Sequence, residues 1–357
     1  MRIVYLSKVK RNPYVSLLCE AVNSADAGFR AEIADHFSLG WMWRRRAQVD
    51  LLHIHWLELF YVYPSGLRSV KRWLSVMLGL LLARWSGVAL VYTVHNIWQH
   101  ESKRPRLVAA GNRVLLWLAD MVHVHDGGTA GELAVRWGRS RDVVVIPHGS
   151  YVGAYPDAIS RQEARETLKL PPEVFCFLSL GRVRPYKGLE DLVAAFEKLK
   201  DPDAMLLIAG EPQEAAFGEI LRAKAQRDPR VRLYLGFVAE EDLQRYFRAC
   251  DVCVLPYRHV TTSGAAILAF SFGTPVIAPE IGSFRQLVDD GRQGILYRPD
   301  DDGALLRALS EAREAPLDRM REAVAARARA LDWRTLSADF IAGYRKATAG
   351  RNHKPLG

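Results

Sequence analysis

With 357 residues and a formal net charge of +9, the chain is long enough for two ordinary domains. Its 49% hydrophobic content and scattered Gly and Pro exclude a disordered or fibrous protein. Residues 1–150 hold 19 Lys+Arg against 11 Asp+Glu, and the other 207 hold 30 against 29, so the basic excess belongs to the N-terminal half and points to an acidic partner there.

The first residues, Met1 to Lys8, carry too short an apolar run for a signal peptide and read as a strand, Ile3–Leu6. Further strands are expected at Leu51–His55, Val88–Val94, Met121–His125 and Val143–Ile146. Helices are expected near Tyr14–Ser24, Gly66–Trp85, Arg106–Ala119 and Thr129–Trp137. Polar residues collect where these strands end: Asn12, His55 with Glu58, His95, Asp126 and His148. Ligands bind at the carboxyl ends of strands in open α/β sheets, so these residues are candidates to line a cleft and meet an acceptor. Trp73–Ala83 is apolar but too short to span a bilayer. Arg68, Lys71, Arg72 and Arg84 flank it, and the basic loop Trp41-Met42-Trp43-Arg44-Arg45-Arg46 precedes it. Cations beside Trp and Leu fit a protein resting on an anionic membrane surface.

The composition changes over Gly149–Pro172, where a domain junction is expected around a short charged helix, Ser160–Leu168. The organisation read from the sequence is a first domain over 1–150, a linker over 151–172, a second domain over 173–332 and a last helix over 333–357. Strands of the second domain are expected at Phe175–Leu180, Met205–Ala209, Val231–Leu235, Val252–Leu255 and Val276–Ala278. Alternation of strands and helices in both halves gives an α/β class with two doubly wound, Rossmann-like layers. Between the strand ending at Leu180 and the helix beginning near Gly188 runs Gly181-Arg182-Val183-Arg184-Pro185-Tyr186-Lys187. Two cations, Arg182 and Lys187, on a strand-to-helix loop make a site for a diphosphate. Cys250-x-x-Cys253 lies on an apolar strand with no second pair after it. Together with Cys19 and Cys176 it reads as buried small side chains in a reduced, cytoplasmic protein. No paired carboxylates stand after a strand as a divalent-metal site would need, and no nucleic-acid-binding motif accompanies the positive charge.

Residues 174–300 resemble the nucleotide-binding domain of GT-B glycosyltransferases, in particular the GT4 family (glycosyltransferase group 1) and related exopolysaccharide mannosyltransferases. The resemblance is carried by Gly181-Arg182 with Lys187-Gly188, Leu206 to Pro212, Val231 to Val238, Ala249 to Pro256, Ser263-Gly264, Phe272-Gly273-Thr274-Pro275 and Gly294 to Tyr297. It implies two Rossmann-like domains facing a central cleft, with the last helix crossing back to the first. It implies transfer of a hexose, mannose or glucose in type, from a nucleotide-diphosphate sugar to a lipid-linked or polysaccharide acceptor in cell-surface polysaccharide synthesis, at the inner face of the membrane. No cofactor or metal is needed beyond the sugar nucleotide. It assigns Arg182, Lys187, Ser263 and Gly264 to the diphosphate, Gly236 and Val238 to the base, and His95 to the donor sugar. If the anomeric centre inverts, a carboxylate must deprotonate the acceptor, and Glu101 is favoured over Asp126 and Glu58. The chain departs from GT4 where two Glu residues are usual, near Val260 and Leu268, and Glu280 is the candidate to contact the ribose instead. Alternative functions are a catalytically inactive GT-B subunit binding glycan or a partner, and a GT-B sugar-nucleotide epimerase.

Overall fold

The computed structural model describes residues 1–96 and 104–350. In chain order the elements of the first half are β1 (Arg2–Leu6), α1 (Tyr14–Ala25), β2 (Arg30–Ala34), α2 (Leu39–Arg45), β3 (Leu51–His55), α3 (Gly66–Trp85), β4 (Ala89–Thr93), α4 (Pro105–Leu118), β5 (Met121–Val124), α5 (Gly127–Trp137) and β6 (Val143–Val145). Then follow α6 (Arg161–Thr167), β7 (Phe175–Leu180), α7 (Leu189–Lys198), β8 (Ala204–Ala209), α8 (Ala215–Ala225), β9 (Val231–Tyr234), α9 (Leu243–Ala249) and β10 (Val252–Val254). The chain closes with α10 (Gly264–Ser271), β11 (Val276–Pro279), α11 (Phe284–Leu287), β12 (Gly294–Tyr297), α12 (Ala304–Glu314), α13 (Leu317–Ala330) and α14 (Trp333–Ala349).

Two compact units result. One comprises Met1–Gly149 with the segment from Asp332 onward, the other Ser150–Leu331. Each holds a six-stranded, all-parallel sheet with helices on its faces, as near-continuous apolar strands require. The strand orders are β2-β1-β3-β4-β5-β6 and β12-β11-β10-β7-β8-β9. The chain reverses its direction of winding between β1 and β3 in the first sheet and between β7 and β10 in the second. At those two points the flanking loops leave in opposite directions and open a crevice at the strand ends.

In the first unit α14 packs on α1, and Phe340, Ile341 and Tyr344 are buried there with Ile3, Tyr5 and Leu18. Gly149 has no room for a side chain, because a Cβ would fall 2.2 Å from the Trp333 ring. Residues 151–172, expected as a linker, fold into the second unit. Their anchor is Arg165, which is buried and donates to the carbonyls of Ala249, Pro171 and Val174 and to Asp251.

Three elements were not expected. Strand β2 is an edge strand, mostly exposed, so it lacks an apolar run. The segment read as a basic loop is helix α2, capped by Ser38 Oγ accepting from Trp41 N at 3.2 Å. Gly294–Tyr297 is a strand, β12, beside β11.

Candidate functional site

The second unit brings its loops together at the β7/β10 crevice. Gly181 leaves β7 with φ 127°, and Gly188 ends the loop in the left-handed region with φ 65°. A Cβ at Gly188 would lie 2.0 Å from the Pro256 carbonyl oxygen, so only glycine lets the β7 loop sit against the β10 loop. Gly210, at the end of β8, has the same closeness to Gly181 O. The two loops are joined further by Arg258 N donating to Tyr186 O at 2.8 Å and by Arg258 pairing with Asp191 of α7.

Lys187 is held by this frame. It is only 9% exposed, its Nζ lies 5.2 Å from the Tyr257 ring centre, and a Cβ at Gly181 would be 2.9 Å from Nζ. Burial, and secondarily Arg184, push its pKa down to about 8. A buried cation with no carboxylate partner among the described residues, held at a topological switch point, is a site built for an anion. Arg182 differs: it is exposed and reaches Glu211 at 3.6 Å. Across the crevice Ser263 caps α10, with Oγ accepting from Ala266 N at 3.2 Å. Gly264 and Ala265 therefore offer first-turn N–H groups that have no acceptor inside the helix. Beside them the buried Thr262 Oγ1 has no hydrogen-bond partner among the described residues.

The remaining candidates of this unit lie on neighbouring strand ends. Gly236 follows β9 and donates to Gly210 O at 3.2 Å, and nothing would obstruct a Cβ there. Val238 is half-buried against the core. Glu280 follows β11, with Arg285 and Arg298 at 3.9 and 4.0 Å.

In the first unit the polar residues at the strand ends were expected to line a cleft. Of these ends, His55, His95, His125 and His148 are buried, and each ring lies within 5.8 Å of the Tyr14 ring. Packing against Tyr14 removes them from water. His53 and His123 extend the array beneath them, so six of the ten histidines in the chain share one buried cluster. Burial is the largest cause holding all six below the usual histidine range, with His123 and His148 at about 4.

The hydrogen bonds fix the proton positions. His123 Nε2 lies 2.8 Å from Ile146 O, which can only accept, so Nε2 carries the proton and Nδ1 accepts. Thr93 Oγ1, 2.9 Å away, must then donate to Nδ1 and accept from His53 Nε2 at 2.6 Å. His53 Nδ1 in turn accepts from Tyr344 Oη at 2.7 Å, and Tyr344 accepts from Tyr5 at 3.0 Å. One carbonyl thus orients five side chains from the sheet to α14, all neutral.

His95 stands at the outer end of this array. Its Nε2 is 3.0 Å from His55 Nδ1, and its ring stacks on Trp56 at 3.8 Å and 9°. Trp56 has φ 46°, a left-handed conformation that is costly for a tryptophan and that lays its ring on His95. Asp126 caps α5, and its two oxygens accept from Thr129 N and Oγ1 at 2.8 and 2.7 Å. Asn12 Oδ1 accepts from Tyr14 N at 2.9 Å, opening α1, and Glu58 is half-buried on a short 3₁₀ turn. Glu101 lies outside the described residues. Asn12 also lines a pocket of about 460 Å³ beside β1 and β2, with Lys10, Asp35 and His36. Among the described residues no three His, Cys, Asp or Glu side chains, the clustered histidines included, are arranged so that they could hold a metal ion.

Sequence reasoning missed Tyr257 and Trp56, which hold Lys187 and His95 in place. It also missed the array, although His53-Ile54-His55 and His123-Val124-His125 are visible signals. Alternate residues on a strand share a face, so the two rings of each pair had to lie side by side.

Comparison with known proteins agrees with this geometry. Residues 174–314 match the family model described as glycosyl transferases group 1. The GDP-mannose:glycolipid 4-beta-D-mannosyltransferase of Xanthomonas campestris pv. campestris is 30% identical over 277 residues, covering 76% of this chain and 73% of that protein. The D-inositol 3-phosphate glycosyltransferase of Streptomyces scabiei is 27% identical over 361 residues, covering 94% and 75%. Among solved structures, sucrose-phosphate synthase from Thermosynechococcus elongatus superposes with a TM-score of 0.75 at 21% identity, covering 98% of this chain and 99% of that one. HepE of Anabaena, in complex with UDP and glucose, superposes at 0.74 and 18%, covering 96% and 98%. Two six-stranded parallel sheets with flanking helices are the GT-B architecture. The chain belongs to the group 1 glycosyltransferases of GT4 type, and it is a hexosyltransferase.

Proposed function

We propose that the protein transfers mannose from GDP-mannose to a lipid-linked acceptor in cell-surface polysaccharide synthesis, at an anionic membrane surface. The observation that carries this reading is the buried Lys187 at the β7/β10 crevice, which has no carboxylate partner among the described residues, taken together with the mannosyltransferase relative of Xanthomonas. As the glycosidic bond breaks, charge develops on the departing diphosphate. Lys187 adds a fixed cation there, Arg182 a second that can fork onto phosphate oxygens, and the first turn of α10 adds N–H groups. The charge is met by the protein's own donors, and the reading calls for no divalent ion. The nucleotide occupies the loops after β7 to β11, with Gly236 and Val238 at the base and Glu280 at the ribose.

That relative is named for a β-linked product from GDP-mannose. GDP-mannose is an α-linked donor, so the same outcome here inverts the anomeric centre and requires a base on the acceptor hydroxyl. Asp126 is committed to its helix cap, which leaves Glu101 as the favoured base, with Glu58 behind it. His95 is assigned to the donor sugar. The cluster around it is neutral, so it offers hydrogen bonds and not charge.

Thermal unfolding with added sugar nucleotides tests the donor. A ligand present at 100 times its dissociation constant adds about 2.7 kcal/mol. GDP-mannose is expected to raise the melting temperature and UDP-glucose to leave it unchanged. Protection by UDP-glucose alone refutes the donor assignment, and an α-linked product refutes inversion.

A further inference from the structure

Helix α3 carries an apolar stripe that nothing in its own unit covers. Leu67, Val70, Leu74, Leu78, Leu81 and Trp85 are between 42% and 75% exposed. Their spacing of three and four residues places all six within an arc of about 80° on one side of the helix. At about 1.5 Å per residue the stripe is roughly 27 Å long. The opposite side is buried in the ordinary way, through Val76, Leu80 and Ala83. The stripe is therefore additional to the core.

The charges carried by α3 and its neighbouring helices are of one sign, with Glu32 and Asp120, outside those helices, pairing with Arg45 and Arg84. Arg68, Lys71 and Arg84 are the other exposed side chains of α3, and Arg84 pairs with Asp120 at 2.9 Å. The helices that pack on α3 are α2 and α4. These three helices together contain Arg44, Arg45, Arg68, Lys71, Arg72, Arg84, Arg106 and Arg113 and not one Asp or Glu. Two further tryptophans on the flanking helices, Trp43 and Trp117, are 55% and 74% exposed. Among the described residues no helix is long and apolar enough to cross a membrane.

We propose that α3, flanked by α2 and α4, is a docking face for anionic phospholipid, lying in the plane of the interface with Leu74 and Leu78 at the centre of the contact. This deepens, and rests on, the reading of a lipid-linked acceptor. An apolar stripe bordered by Lys and Arg, with Trp at its ends, suits the boundary between headgroups and acyl chains, where cations meet phosphates and Trp tolerates both environments. A second copy of the chain is the poorer occupant. A two-fold contact sets the same patch against itself, so helices that carry eight cations and no acid would be brought against their like.

Cosedimentation of the full chain with vesicles tests the face. Vesicles of equal phosphatidylglycerol and phosphatidylcholine are expected to bind the wild type at low salt, and pure phosphatidylcholine vesicles at least tenfold less. The double variant Leu74→Asp/Leu78→Asp alters exposed positions only and is expected to lose at least tenfold in vesicle affinity. Val135→Asp, on the exposed side of α5, should bind like the wild type. Protection from unfolding by GDP-mannose should be the same in all three proteins, which separates this test from that of the donor. Vesicle binding unchanged in the double variant overturns the proposal. So does a wild-type chain that ignores anionic vesicles but forms a dimer that the double variant abolishes. If vesicles bind as described while GDP-mannose protects none of the proteins, the donor assignment fails and the docking face stands.

Discussion

Both units end their parallel strands in polar residues, yet they use them in opposite ways. In the second unit the carboxyl edge of the sheet keeps a buried cation, Lys187, and leaves it without a carboxylate partner among the described residues. In the first unit the same edge buries six imidazoles, keeps them neutral and joins three of its strands to α14 through hydrogen bonds. One edge withholds a counter-charge so that a ligand can supply it. The other satisfies most of its groups internally and leaves only a few atoms open, such as His55 Nε2 and His125 Nε2, which have no partner among the described residues. Position at a strand end thus identifies where a site can form. The balance of donors and acceptors decides whether it does.

Acid separates the two edges most strongly. All six clustered histidines have folded-state pKa values below the unfolded value of about 6.5. Between the two values the unfolded chain binds more protons than the folded one. The stabilisation is therefore complete above about pH 6.5 and is lost as pH falls toward 4. For His123 or His148 alone, at about 4, the loss is on the order of 3 kcal/mol. The second unit contains a single histidine, His259. All nine tryptophans belong to the first unit, so their fluorescence follows that unit alone. At pH 5 the denaturant midpoint by tryptophan fluorescence is expected to fall well below its pH 7.5 value, while a later far-UV transition persists. Equal midpoints by fluorescence at the two pH values would contradict a neutral array.

Removing the cations sharpens the comparison from the other side. Lys187→Met should lower turnover about 10²-fold without loss of stability, since it removes a buried charge together with its desolvation cost. Arg182→Ala, exposed and already beside Glu211, should cost only about tenfold. Donor affinity in the wild type should weaken above about pH 8 as Lys187 loses its proton, and Arg182→Ala should keep that dependence. Similar losses in both variants would mean that burial confers no advantage on Lys187.

Much of this was legible in the sequence, because the elements concerned bury apolar residues at regular spacing. Strand β7, the loop bearing Lys187 and helix α7 read directly from Phe175 to Phe196. Strand β2 did not, because an edge strand needs little burial and Arg30-Ala31-Glu32-Ile33-Ala34 carries almost no apolar signal. Helix α2 was masked by three consecutive arginines, with Met42 its one fully buried residue. The polar strand ends were correctly located, but their chemistry depended on a long-range partner. Tyr344 lies 291 residues from the His53 it bonds, and no local pattern encodes that pairing.

Thr93 offers the mildest break and the most specific one. Its hydroxyl bridges His53 Nε2 and His123 Nδ1, at 2.6 and 2.9 Å. Thr93→Val keeps the shape and removes the relay. His123 must still donate to Ile146 O, so its Nδ1 is left an acceptor with no donor. His53 could transfer its proton to Nδ1 and let Tyr344 turn toward Tyr5, but its Nε2 would then be bare. Either arrangement strands one atom on each ring, and neither can reach water. The cost of two such buried groups, partly relieved by relaxation, is about 2 kcal/mol. Denaturant unfolding followed by tryptophan fluorescence should show that loss in the first unit. Thr93→Ser, which retains the hydroxyl, should recover most of it. If Thr93→Val is as stable as the wild type, the hydroxyl bonds do not set the stability, and the assignment of tautomers from Ile146 outward is wrong.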